Sequence, residues 1–198
     1  MLSSKKPQIE KYLDPLAEKL SFIHPNVLTL IGSIPPLLFF VFVINRWYFL
    51  AIVAFLGTFF DTIDGMIARK YNKVTNFGGL LDSTMDRISD FLIISAFSFG
   101  NIVKWEITAP LLLFSYLTSY IRAQGGVRNK GDANFASSVG LIERSERLGI
   151  IFIGFIAFLF FPSIIIMQLN LLEWILIVLT ILSLITVIQR MLYASKNL

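Results

Sequence analysis

Six long apolar blocks leave this chain few ways to fold. They run at about Val27–Ile44, Tyr48–Ile67, Phe77–Phe99, Ile107–Ile121, Leu148–Met167 and Leu171–Tyr193. A helix needs roughly 20 predominantly apolar residues to cross a hydrocarbon layer about 30 Å thick, and only helices or closed barrels satisfy their own backbone there. With 198 residues, 56% hydrophobic and only 15% charged, the chain carries too much apolar surface for one soluble core. The expected fold is an all-α integral membrane protein with six transmembrane helices, forming a single domain over residues 1–198. Residues 1–22 set Lys5, Lys6, Glu10, Lys11, Asp14, Glu18 and Lys19 among Ile9, Tyr12, Leu13 and Leu16. This is no signal-peptide pattern; it predicts an amphipathic juxtamembrane helix lying on the membrane surface.

Charge fixes the expected orientation. With six crossings, Lys5, Lys6, Lys11, Lys19, Arg69, Lys70, Lys73, Arg122, Arg128, Lys130, Arg144, Arg147, Arg190 and Lys196 face one compartment, and only Arg46 and Lys104 face the other. The excess of lysine and arginine marks the cytoplasmic side. Both termini and the two large basic loops are therefore expected there, in the cell membrane. Trp47, Tyr48, Trp105 and Trp174 fall near the opposite ends of the spans, where interfacial aromatics belong.

The second and third blocks carry what hydrocarbon least tolerates. Asp61, Asp64, Asp82, Asp86 and Asp90 lie in or beside otherwise apolar helices, and each carboxylate costs about 2.5–3.5 kcal/mol even on the lenient insertion scale. Asp61 and Asp64 are three residues apart, and Asp82, Asp86 and Asp90 four apart, so each set shares a helix face. The short turn at Lys70–Asn76 makes the two helices antiparallel neighbours with their carboxylates turned towards each other. Such crowding demands protons or cations, and Arg69 with Arg87 cannot balance five charges. Cysteine is absent and His24 is the lone histidine, so the ligands are hard oxygens that suit magnesium, manganese or calcium. A magnesium or manganese pair with open positions suits phosphoryl transfer. The non-enzymatic alternative is a carboxylate-lined cation transporter. Gly65, Ala68, Gly78 and Gly79, interleaved with the carboxylates, leave room for a phosphate-bearing ligand with a flat base.

The string from Asp61 to Asp86, DTIDGMIARKYNKVTNFGGLLDSTMD, reads D-x2-D-G-x2-A-R-x8-G-x3-D-x3-D. It resembles the signature of the CDP-alcohol phosphotransferases, matched at Asp61, Asp64, Gly65, Ala68, Arg69, Gly78, Asp82 and Asp86. Pro25, Asn26 and Thr29 look like that family's P-N-x-x-T segment. The resemblance implies that an alcohol hydroxyl attacks the lipid-bearing phosphate of a CDP-linked lipid and releases CMP. It implies two divalent ions, Mg2+ or Mn2+, on Asp61, Asp64, Asp82 and Asp86, with Asp86 also taking the hydroxyl proton. Asn26, Thr29, Gly65, Ala68, Arg69, Thr75 and Gly78 would bind the CDP-lipid. Arg69 suits phosphate oxygens because a guanidinium pairs with them in bidentate fashion. A homodimer is a further implication; nucleic acid is not an expected partner.

Acceptor choice is expected in the segment Ser119–Arg147. Arg122, Lys130, Arg144 and Arg147 supply an anion pocket for a phosphorylated acceptor; read as topology alone, the same charges obey the positive-inside rule. S-Y-x-R-A at Ser119–Ala123 and G-x-x-E-R-x-E-R at Gly140–Arg147 resemble the family's inositol-phosphate branch. That branch makes phosphatidylinositol phosphate in bacteria or archaetidylinositol phosphate in archaea, from myo-inositol 1-phosphate and CDP-diacylglycerol or CDP-archaeol. Gln124 stands where many relatives carry arginine, and Ser145 where many bacterial members carry proline, which favours the archaeal lipid. Within the family the rival acceptor is glycerol 3-phosphate.

Overall fold

The computed structural model describes residues 18, 22–58, 67–71, 73–129, 131–132, 135–136, 138–162, 165–166 and 168–198. The expected amphipathic helix over 1–22 lies almost wholly outside these residues. Among the described residues the helices of eight or more residues are α1 (Pro25–Gly32), α2 (Ile34–Ile44), α3 (Tyr48–Gly57), α4 (Asn76–Phe99), α5 (Trp105–Arg128), α6 (Arg144–Phe160) and α7 (Leu171–Asn197). A two-residue antiparallel ladder pairs β1 (Ile165–Ile166) with β2 (Leu169–Asn170). The chain divides into two compact units, residues 1–100 and 101–198.

In the first unit, α2 packs on α3 and α4, and α1 packs on α4. The first apolar block is broken into α1 and α2 at Ser33. Pro35 and Pro36 follow at once, and neither has an N–H to continue a ladder from α1. Phe39 joins three helices: its ring meets Phe55 edge-on at 5.3 Å and Phe97 at 5.8 Å, and all three are fully buried.

In the second unit, α7 packs against both α5 and α6. Its buried positions, Leu172, Leu176, Leu179, Ser183, Thr186 and Arg190, alternate steps of four and three. That is the seam of a helix wedged between neighbours. Reciprocal capping boxes start two helices: Glu143 with Glu146 on α6, and Asn170 with Glu173 on α7. Asn170 also donates through Nδ2 to Ile102 O at 2.9 Å.

Polarity is inverted relative to a soluble fold. Ser95, Thr108, Ser115, Thr118, Ser183 and Thr186 are buried, while Phe49, Leu80, Ile153 and Leu192 stand exposed. An apolar outer surface on this scale marks a lipid-facing protein, so the chain is membrane-associated. Two stretches among the described residues are long and apolar enough to cross by themselves, Pro25–Ile44 and Leu171–Asn197. The other helices are shorter or carry charge: α4 holds Asp82, Asp86, Arg87 and Asp90, yet its 24 residues span about 36 Å. The expected fifth block ends at Phe160 rather than Met167. Pro162 disfavours helical geometry in the residue before it, and the chain turns through the β1–β2 ladder instead. At the other end α5 runs seven residues past Ile121, to Arg128.

Replacing Phe39 with alanine leaves a cavity that three helices cannot close together. The expected cost is on the order of 3 kcal/mol, read as a lowered thermal midpoint of the detergent-solubilised protein; Phe39→Leu is expected to recover most of it.

Candidate active site

The first unit brings three of the expected CDP-lipid residues together. Thr75 caps α4, its Oγ1 accepting from Gly78 N at 2.9 Å. Asn26 arrives from the start of α1, where His24 Nδ1 accepts from Asn26 N at 3.2 Å and so caps that helix. A methyl group at Gly78 would sit 3.0 Å from both Asn26 Oδ1 and Thr75 Oγ1. The bare backbone of Gly78 thus lies between two polar side chains from different helices. Thr29 is buried, its hydroxyl donating to Pro25 O at 3.2 Å, so it serves the packing of α1 in this structure. Ala68 and the exposed Arg69 lie in a helical turn at 67–70.

Asp82, Asp86 and Asp90 form the expected row along α4, graded from exposed through half-buried to buried. Arg87 lies beside the row and turns back to donate to Ser83 O. Asp61, Asp64 and Gly65 lie outside the described residues. Among the described residues no three acidic or histidine side chains gather as a metal-binding group. What is described fits a divalent ion in kind: Asp82 and Asp86 are hard oxygen donors one helical turn apart, with no softer ligand at hand.

The second unit assembles a basic cluster. Arg147 is 1% exposed on the first turns of α6, and Arg190, on α7, is 6% exposed. Arg190 Nε donates to Val139 O at 2.9 Å and its Nη1 to Thr118 O at 2.6 Å. Arg122, Arg147 and Glu143 lie within its electrostatic reach. Arg147 and Arg190 are withdrawn from solvent and Arg122 is exposed, with the carboxylates of Glu143 and Glu146 at the start of α6 beside them. Arg144 is half-buried, and Lys130 lies outside the described residues. In sequence Arg190 reads only as a topology charge, and Glu143 as a position of the G-x-x-E-R-x-E-R motif with no site role of its own. Arg190 could have been found from its setting, since Ser183, Thr186 and Arg190 form a polar run at helical spacing in an otherwise apolar block.

Between α5 and α6 the chain folds back on the end of α5. Phe135 is 1% exposed and packs edge-on against Tyr193 at 5.4 Å. A side chain at Gly125 would come within 2.1 Å of the Phe135 ring, so only glycine leaves the notch that this ring fills. Surface hollows lined by Arg46–Leu50 and by Ile150, Trp174, Ile175, Val178, Leu179 and Leu182 hold none of the signature residues.

Comparison with known proteins settles the family. The CDP-alcohol phosphatidyltransferase profile matches residues 22–185. The chain belongs to that family. It is 36% identical over 201 residues to the archaetidylinositol phosphate synthase of Pyrococcus horikoshii, covering 100% of this chain and 98% of the relative. With the synthase of the same name from Methanothermobacter thermautotrophicus it shares 33% identity over 207 residues, covering 100% and 96%. Its structure resembles the crystal structure of Mycobacterium tuberculosis phosphatidylinositol phosphate synthase with CDP-DAG bound, at a TM-score of 0.72, 26% identity and 91% and 92% coverage. The same enzyme in complex with manganese and citrate gives a TM-score of 0.71 at 26% identity, covering 92% and 88%. The chain is therefore a phosphotransferase enzyme.

Gly125→Ala is expected to force the Phe135 ring out of its notch and to cost about 1–3 kcal/mol, as overpacking does. Gly149→Ala on α6, where a methyl group meets nothing within 4 Å, is the control and is expected to hold or raise the thermal midpoint.

Proposed function

We propose that this enzyme transfers the lipid-bearing phosphate of a CDP-linked lipid to myo-inositol 1-phosphate, releasing CMP, with CDP-archaeol as the favoured donor. The observation that carries the acceptor is the cluster of Arg122, Arg147 and Arg190 about Glu143. A neutral alcohol has no use for the buried Arg147 and Arg190 beside the exposed Arg122, whereas a phosphate monoester does. Full-length similarity to the two archaeal synthases supports the same acceptor and lipid.

In this reading Asn26, Thr75 and Gly78 receive the cytidine end of the donor, and Gly65, Ala68 and Arg69 its pyrophosphate. Thr29 supports them from within α1. Two divalent ions, Mg2+ or Mn2+, held by Asp61, Asp64, Asp82 and Asp86, would neutralise the pyrophosphate oxygens and lower the pKa of the acceptor hydroxyl. Asp86 takes the hydroxyl proton as the new oxygen–phosphorus bond forms and the bond to CMP breaks. Asp86 suits the role because it is half-buried, between the exposed Asp82 and the buried Asp90. The acceptor phosphate is held by Arg122, Lys130, Arg144 and Arg147, joined by Arg190. Arg190 commits two N–H groups to backbone carbonyls, and the rest of its five-donor fork serves the ligand.

The chain acts as one catalytic domain with six crossings, both termini and the active site facing the cytoplasm. The donor enters from the bilayer and the acceptor from the aqueous side; two copies associate as a homodimer. The excess of basic residues in the segments joining the helices supports this orientation.

Purified enzyme in detergent with magnesium and CDP-archaeol is expected to release CMP with myo-inositol 1-phosphate and not with glycerol 3-phosphate, serine or free inositol. Turnover with glycerol 3-phosphate alone would keep the reaction and overturn the acceptor. Asp86→Asn is expected to lower kcat by at least about a hundredfold while the protein stays folded. Metal-dependent protection against proteolysis by CDP separates this reading from a cation transporter, which has no reason to prefer a cytidine nucleotide.

A further inference from the structure

The segment that delivers Glu143, Arg144 and Arg147 has no regular structure of its own, yet its backbone is held at successive points. Val139 O receives Arg190 Nε at 2.9 Å. Leu141 N and Ile142 N both donate to Thr186 Oγ1, at 3.2 and 3.3 Å, and Glu143 N donates to Glu146 Oε2 at 3.2 Å. Thr186 is fully buried, and its own hydroxyl hydrogen goes to Leu182 O at 2.9 Å. One O–H donor and two acceptor positions are all that a hydroxyl has; each is used. Gly140 completes the contact. Its φ is +134° and a methyl group there would come within 2.5 Å of Thr186 Cγ2, so the loop backbone rests directly on this side chain.

Thr186 and Arg190 are one turn apart on the same face of α7, and both hold this loop. We propose that Thr186 is a positioning residue for the acceptor-phosphate pocket: through Leu141 and Ile142 it sets where α6 begins, and so where Arg144 and Arg147 stand relative to Arg190. Thr186 itself touches no substrate. The inference rests on the reading of that cluster as the acceptor site. It assigns acceptor affinity in part to a hydroxyl that the basic cluster does not include.

The test is steady-state kinetics with myo-inositol 1-phosphate and CDP-archaeol varied in turn. Thr186→Val keeps the side chain's bulk but removes the acceptor of the Leu141 and Ile142 N–H groups, the second of them buried, so the loop must shift to find other acceptors. Its KM for inositol phosphate is expected to rise about tenfold, with KM for CDP-archaeol unchanged and kcat within about threefold. Thr186→Ser keeps the hydroxyl and is expected to restore the acceptor KM. Gly140→Ala disturbs the same contact from the loop side, and must give the same split should Thr186→Val fail to fold. An unchanged acceptor KM in the folded variant, a parallel loss in kcat and both KM values, or a failure of serine to rescue would each overturn the proposal. Arg122→Gln and Arg144→Gln run beside these variants. If neither raises the acceptor KM, the pocket reading falls and this inference with it; if they do and Thr186→Val does not, only the positioning role is lost.

Discussion

Hydrocarbon offers no hydrogen bonds, and the organisation of both units follows from that. A polar group drawn into an apolar helix has to find its partners inside the protein or face water at the helix end. Thr108, Ser115 and Thr118 of α5 and Ser183 and Thr186 of α7 are buried, while Phe49, Leu80, Ile153 and Leu192 are left to lipid. Arg190 is the extreme case. Its guanidinium sits in a helix that is otherwise long and apolar enough to cross the membrane, and it is accommodated because the carbonyls of Thr118 and Val139 are brought to it. A loop carbonyl can reach Arg190 only if the loop lies against α7, and Phe135, Gly125 and Gly140 let the chain lie there.

The carboxylates of α4 answer the same constraint differently. They form a row whose exposed end, Asp82, lies towards the N-terminus of α4 and whose buried end is Asp90. Cations bound at the open end would offset the repulsion among them. The donor-side residues use the backbone as much as side chains. Thr75 accepting from Gly78 N and His24 accepting from Asn26 N cap two helix starts, where Asn26 Oδ1 and Thr75 Oγ1 lie close to the same glycine.

A chain so apolar can use specific polar contacts to fix its geometry, because burial in lipid does little to choose one helix packing over another. Phe39 between Phe55 and Phe97 fixes shape by close packing. Thr186 fixes a loop by using every hydrogen-bonding position of one hydroxyl. The first holds the helices together, and the second decides where charges stand.

Much was legible in sequence order. The apolar blocks predicted helices that α4 and α7 follow within a few residues, because span length and periodicity are local properties. The spacing of Asp61, Asp64, Asp82 and Asp86 carried the family, since a signature at fixed separations is read from sequence without any structure. The break at Ser33 and the early end of α6 at Phe160 were also written locally, in Pro35, Pro36 and Pro162, but a smooth hydropathy profile hides them. The convergence of Asn26 with Gly78, across more than fifty residues, was not legible. Nor was the pairing of Arg190 with Thr118 and Val139, or of Thr186 with Leu141 and Ile142. Those contacts join residues 44 to 72 positions apart, and no periodicity encodes which carbonyl or N–H a buried side chain will meet. Sequence alone determined that this chain belongs with membrane and is a phosphotransferase, because apolar run length and signature spacing are local; only the tertiary structure decided which buried cations gather, because that depends on which helix faces pack together.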